Sequence, residues 1–161
     1  MGEKRFLLPF TDSLDAHAID HALYFARASQ AVLVALGLIV TPAERSSQTD
    51  IRPEHIQQVK DFLEMVYFKA DLHHVPLERI EQYTQNAHMS ILSTAHKQDC
   101  QGILLVFSEK EARYRFLQEA EIKKLRQSNE HSLYILSLPG TKRKAGVKNF
   151  LSNWGSGRDT L

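Results

Sequence analysis

The residues from Phe6 to Thr41 constrain the fold of this chain more than any other segment. A short apolar stretch, Phe6 to Phe10, is followed by a polar turn, Thr11 to Ser13. An amphipathic helix then leads into Ala31 to Val40, where almost every residue is apolar. This succession of strand, turn, helix and buried strand is typical of the first unit of an α/β domain with a parallel sheet.

The length and composition indicate one globular domain. The chain has 161 residues, of which 43% are hydrophobic and 24% charged, so it can bury a core of ordinary size. Its single cysteine, Cys100, cannot form an internal disulfide. Only five apolar residues follow Arg5, too few for the core of an export signal. We therefore expect a soluble protein of the reducing cytoplasm.

Charge separates the chain into a domain, residues 1–139, and a C-terminal tail, residues 140–161. The domain carries a small excess of acidic residues, which does not favour a nucleic-acid partner. The tail is basic and lacks hydrophobic periodicity, which predicts a flexible segment. Its apolar residues follow the basic ones and end at Trp154, so a protein or membrane-surface partner for the tail stays open.

Hydrophobic periodicity predicts the remaining elements. The clearest helix covers Pro53 to Ala70. Its predicted buried stripe is Ile56, Val59, Leu63, Val66 and Ala70, widened by Phe62 and Tyr67. The charges of the strand from Val75 to Thr84 favour an edge position in the sheet. The other predicted elements are a first helix at 14–29, a short helix at 88–97, a buried strand at 103–107, a charged helix at 109–127 and a last strand at 133–138. The predicted inner residues are Ile19, Ala22, Leu23 and Ala26 in the first helix, and Tyr114, Leu117, Ala120 (or Glu121) and Leu125 in the charged helix.

Several of these patterns resemble the universal stress protein family over roughly Lys4 to Pro139. Pro9 and Ser13 match the ends of the family's Pro-x-Asp-x-Ser motif after the first strand. The alanines of the first helix and the apolar run from Ile103 to Phe107 also match. The resemblance implies a three-layer α/β sandwich with a five-stranded parallel sheet.

The chain departs from the family where nucleotide phosphates would bind. Nucleotide-binding members have a Gly-x-x-Gly loop after the fourth strand, because a backbone free of side chains can approach phosphate oxygens closely. This chain has Ser108-Glu109-Lys110-Glu111-Ala112 instead, and no glycine lies between Gly102 and Gly140. We therefore expect a non-catalytic, degenerate member that has lost ATP binding and holds no cofactor.

The resemblance places a ligand-sized crevice over the first and fourth strands, where the strand order reverses. The candidate residues of this vestigial pocket are Thr11, Asp12, Ser13, Leu38 and Ser108. Leu38 matches the family position that packs against adenine. The aspartate of the motif falls on Thr11, and Asp12 is displaced by one residue.

Partners and alternatives follow from other segments. The last strand, Ser132 to Leu138, is uncharged, and a sheet edge of that kind favours a homodimer. One alternative is a divergent nucleotide-binding protein in which Lys110, Arg113 or Arg115 replaces the backbone cradle. Another is a regulatory or scaffolding module that docks through its tail. The pair His17 and His21 has metal-ligand spacing, but an exposed helix face explains both residues and no metal is expected.

Overall fold

The computed structural model describes residues 2–10, 16–41, 53–108, 119–128 and 131–138. The tail at 140–161 and the start of the charged helix lie outside these ranges. Strands and helices alternate along the chain. The elements are β1 (Arg5–Pro9), α1 (Ala16–Ala28), β2 (Val32–Val40), α2 (Pro53–His73), β3 (Leu77–Thr84), α3 (Ala87–Lys97), β4 (Gly102–Ser108), α4 (Glu119–Gln127) and β5 (Ser132–Leu138).

The five strands form one parallel sheet in the order β3-β2-β1-β4-β5. The strand order therefore reverses between β1 and β4, as the sequence predicts. The charged strand β3 and the uncharged strand β5 both lie at edges, which confirms both edge predictions. The fold class predicted from the sequence is correct.

Helices cover both faces of the sheet. The helices α1 and α2 pack against each other on one face, and α3 packs against α4 on the other. This arrangement follows from right-handed crossovers, because the connections through α1 and α2 progress in one direction and the later ones in the other. No helix in the described part of the chain is long and apolar enough to cross a membrane.

Strand β2 lies at the centre of the core. Its residues from Val32 to Ile39 are buried, which explains why it lacks the polar alternation of a half-exposed strand. Gly37 allows α2 to lie close to the sheet, since an added Cβ would lie 2.6 Å from Cγ1 of Val59. The predicted inner face of α2 is confirmed at Val59, Phe62, Leu63, Val66 and Ala70.

Two helix faces differ from the sequence prediction. Tyr67 was expected in the buried stripe of α2, but its side chain is 53% exposed. It lies on the side of α2 nearest the edge strand β3, and the guanidinium of Arg79 covers its ring at 4.3 Å from the centroid. On α4, Leu125 is buried as predicted, and Ile122, which the prediction omitted, is buried with it.

Candidate functional site

Pro9 ends the hydrogen bonding between β1 and β4. The carbonyl of Lys4 accepts a hydrogen bond from β2 and the N–H of Phe10 donates one to β2, each at 2.8 Å. The backbone N–H and C=O groups of the even-numbered residues of β1 therefore face β2. The backbone nitrogen of Pro9, an odd-numbered residue, therefore faces β4, but it carries no hydrogen to donate. The register of β1 with β4 accordingly stops at Leu7↔Ile103, whereas its register with β2 continues to Pro9↔Leu36.

This early end of the ladder lies at the topological switch point of the sheet. β4 runs on to Ser108, but along that length it pairs with β5 rather than with β1. The carboxyl ends of β1 and β4 are thus not bonded to each other. In open α/β sheets, the space outside the carboxyl ends of such a strand pair is where ligands bind. The proline of the sequence motif thus lies where the β1–β4 pairing stops, next to the predicted site.

The structure describes two of the five candidate residues. Leu38 lies two residues beyond the last β1–β2 pair, on the sheet face opposite α2, and its side chain is only 1% exposed. Ser108 is the last residue of β4 and pairs in register with Leu138, although its side chain is outside the described set. Thr11, Asp12 and Ser13 lie outside the described residues.

A polar cluster that the sequence analysis missed lies at the carboxyl ends of β2 and β3. Both the N–H and the Oγ1 of Thr41 donate to the carbonyl of Thr84, at 2.7 and 3.3 Å. Oγ1 of Thr84 accepts from the N–H of Asn86 and from Oγ of Ser90. Asn86 caps α3 through its side chain, which accepts from the N–H of Met89 at 3.3 Å. The cluster satisfies the backbone at this edge and fixes the start of α3.

His55, in the first turn of α2, also contacts the carboxyl end of β2. Its Nε2 accepts from the N–H of Val40 at 3.4 Å. The contact ties the end of β2 to α2. The cap at Asn86 is readable from the sequence, because asparagine before a helix is a typical N-cap. The contacts to Thr41 and His55 depend on the sheet register, which the sequence does not show.

An ion pair between Arg5 of β1 and Glu78 of β3 lies at the opposite, amino edge of the sheet. The guanidinium of Arg5 binds both carboxylate oxygens of Glu78 and donates from Nε to the carbonyl of Gln98 at 2.7 Å. The hydrogen bond from Arg5 lowers the pKa of Glu78. Burial raises the pKa of the nearby Cys100 thiol to about 11, so the thiol stays protonated at neutral pH. These groups stabilise the fold and lie away from the crevice.

Metal binding finds no support among the side chains that the structure places. In those parts of the chain, no group of three or more His, Cys, Asp or Glu residues could hold a metal ion. On α1, His17 is exposed and His21 is half-buried. Ile19 and Leu23 of the same helix are buried in the core, as the sequence predicts.

A parallel sheet wound in both directions from a switch point defines the α/β class to which many nucleotide-binding proteins belong. Neither the family models nor the curated proteins include a match to this chain. Solved structures do match. They include a universal stress protein from Archaeoglobus fulgidus, with 12% identity and a TM-score of 0.60 over 82% of this chain and 92% of that one.

Two further structures agree. A protein of the universal stress protein family from Burkholderia pseudomallei has 14% identity and a TM-score of 0.61, over 82% of this chain and 94% of that one. The Archaeoglobus fulgidus protein in complex with dAMP has 12% identity and a TM-score of 0.59, over 84% and 98%. The chain therefore has the universal stress protein fold, and the fold implied by the sequence resemblance is confirmed.

Proposed function

We propose that this chain is a non-catalytic, universal stress protein-like module that acts in a stress response or in signalling and has lost ATP binding. The observation that supports the proposal is the sequence at the end of β4. Ser108 ends the strand at the switch point, and Glu109-Lys110-Glu111-Ala112 follows at once where a glycine loop would cradle phosphates. Two carboxylates at that place would repel a triphosphate.

The glycine content of the strands supports the same proposal. Gly37 and Gly102, the glycines of β2 and β4, both allow close packing of side chains within the core. No glycine follows until Gly140, so the chain between β4 and the end of β5 has no residue that could bring bare backbone to a phosphate. The Gly-x-x-Gly cradle of nucleotide-binding members therefore has no counterpart in this sequence.

Calorimetry tests the proposal. We expect no heat of binding when ATP or dAMP is titrated to millimolar concentration into the full chain. The matched variant Glu109→Gly with Ala112→Gly creates a Gly-x-x-Gly spacing and removes one carboxylate. We expect measurable heat from this variant with ATP. Saturable binding of ATP by the unsubstituted chain would contradict the proposal.

The dAMP complex of the Archaeoglobus fulgidus structure favours a second candidate function, nucleotide binding by a divergent site. In this alternative Lys110, Arg113 or Arg115 would supply positive charge in place of backbone N–H groups. Replacing Lys110 and Arg113 by glutamine should then abolish the heat of ATP binding. If the unsubstituted chain shows no heat, this alternative is eliminated.

We further propose a cytoplasmic homodimer formed through β5. This strand pairs with β4 on one side, and its other side is a sheet edge. The uncharged sequence Ser-Leu-Tyr-Ile-Leu-Ser-Leu has none of the charges that protect β3 at the opposite edge. Two such edges related by a two-fold axis would form one continuous sheet. The reduced, buried Cys100 is compatible with the cytoplasm.

A further inference from the structure

Helix α2 has a second apolar stripe that points away from the core. Met65, Phe68 and Leu72 follow each other at spacings of three and four residues, which places them on one side of the helix. Phe68 is 63% exposed and Leu72 is 60% exposed, while Met65 is half-buried. Large apolar side chains exposed side by side on a helix are typical of a surface that another segment covers.

Acidic side chains flank this stripe. Asp61 lies four residues before Met65, and Glu64 and Asp71 lie on either side of Phe68 along the helix. All three residues are exposed, but Glu64 already forms an ion pair with Nη1 of Arg79 of β3 at 3.1 Å, so the acidic border rests on Asp61 and Asp71. The two lysines of α2 point elsewhere, since Lys60 lies 3.9 Å from Glu81 of β3 and Lys69 lies 2.8 Å from Asp20 of α1. The outer face of α2 is therefore apolar with an acidic border.

The tail has the complementary pattern. Basic residues come first and apolar residues follow within a few positions. The basic residues are Lys142, Arg143, Lys144 and Lys148, and the apolar ones are Phe150, Leu151 and Trp154. Against an acidic border, the basic residues would gain favourable ion pairs while the aromatic residues cover the stripe.

The tail is long enough to reach α2. Between Leu138 and Phe150 an extended chain spans up to about 40 Å, and to Trp154 about 53 Å. The sheet order separates β5 from β2, which α2 covers, by three strand spacings, or about 14 Å. From Pro53 at the carboxyl edge to Leu72, α2 is about 29 Å long. The two displacements are roughly perpendicular and combine to about 32 Å, which is within the extended reach of the tail.

We propose that the basic tail, residues 140–161, folds back onto the outer face of α2 in its own chain. Its aromatic residues cover Phe68 and Leu72, and its lysines and arginine lie beside Asp61 and Asp71. The charge pattern and the reach favour this occupant. The proposal does not depend on whether the crevice at β1 and β4 binds a nucleotide.

Trp154 is the only tryptophan of the chain, so its fluorescence reports on the tail directly. In the unsubstituted chain at low concentration, we expect the emission maximum of Trp154 to lie at a shorter wavelength than in the urea-unfolded chain. We also expect its fluorescence to be protected from quenching by acrylamide. The double variant Phe68→Ser, Leu72→Ser should lose both properties. The matched control is Met89→Ser, which changes an equally exposed residue (57%) on α3 in the opposite layer and should keep both.

A separate variant tests the contribution of charge to the binding of the tail on α2. Asp71→Lys should weaken the protection of Trp154, and high salt should weaken it in the unsubstituted chain. Phe68, Leu72 and Asp71 are all exposed, so the far-UV circular dichroism spectrum should be the same in every variant as in the unsubstituted chain. These results together would support the proposal.

Four outcomes would overturn it. One is an emission equal to that of the unfolded chain, and another is protection that survives the double variant on α2. A third is protection that disappears on dilution, which would assign the tail to a second copy. The fourth is a blue shift that arises only when vesicles of phosphatidylserine and phosphatidylcholine are added, which would assign the tail to a membrane surface.

Discussion

Gly102 lies directly against the ring of Tyr134: a Cβ added to Gly102 would be 2.5 Å from Cε2 of Tyr134 and 2.9 Å from Cδ1 of Phe6. The two rings meet edge to face, with centroids 5.7 Å apart. Glycine at the start of β4 therefore allows β1, β4 and β5 to be joined by aromatic packing at the amino edge of the sheet.

Gly102→Ala should destabilise the fold, because the added methyl group must displace two aromatic rings in a packed core. We expect the free energy of unfolding to fall by about 1 to 3 kcal/mol. Urea denaturation followed by circular dichroism measures the change. Gly2→Ala is the matched control, since nothing lies within 4 Å of a Cβ at that position. Equal stability of the two variants would contradict the packing role of Gly102.

Pro9→Ala tests how the crevice is formed. The variant has an N–H at position 9 that points toward β4, so we expect one more hydrogen bond, to the carbonyl of Leu104, and a longer β1–β4 ladder. Native-state hydrogen exchange should find the new amide protected. An amide at position 9 that exchanges as fast as one in an exposed loop would show that proline is not what ends the ladder.

The sequence predicts the strands because their character depends on local residues. The apolar run of β2 predicts its burial, and Glu78, Arg79 and Glu81 predict that β3 lies at an edge. The sequence wrongly places Tyr67 in the buried stripe of α2, because the residues of one helix do not show how far the elements packed against it extend. At the edge of the sheet, Arg79 rather than a core residue covers its ring.

The candidate site is less predictable from sequence. Pro9 was noted as part of a motif, but its role depends on which neighbouring strand it faces. The contacts of Thr41 with Thr84 likewise follow from the register of β2 with β3, which residue spacing does not show. The family resemblance places Leu38 and Ser108 at the carboxyl edge of the sheet. Their roles as binding residues stay predictions.

Glu78→Gln should change how stability depends on pH. Arg5 lowers the pKa of Glu78 in the folded chain, so the stabilisation is fully present above the unfolded pKa and is lost as pH falls through the folded one. The carboxylate is partly exposed, so we expect a difference from the unsubstituted chain of less than about 1 kcal/mol at neutral pH.

That difference should shrink below about pH 4.5, where glutamate in the unfolded chain takes up its proton. Urea denaturation at a series of pH values measures it. Glu81→Gln is the control, because it removes a carboxylate from the same strand whose partner Lys60 lies at 3.9 Å. A difference between Glu78→Gln and the unsubstituted chain that stays constant down to the lowest pH would contradict the role of Arg5.

Ile135→Pro tests the dimer. The N–H of Ser132 donates toward β4 at 3.1 Å, so the N–H of Ile135, an odd number of residues later, points to the open edge. Proline at 135 should block pairing of two β5 edges and leave the β4 ladder intact. Sedimentation velocity should find a monomer, whereas Ile135→Val keeps the N–H and should stay dimeric. A dimer that survives the proline variant would contradict an interface through β5.

The most direct test of lost nucleotide binding follows backbone amides of the ¹⁵N-labelled full chain during a titration with ATP to millimolar concentration. Our account predicts no saturable shift in residues 102–108 of β4 or in residues 36–41 at the end of β2. Saturable shifts confined to the carboxyl ends of β1, β2 and β4 would contradict it, because they would place a nucleotide in the crevice despite the carboxylates that follow Ser108.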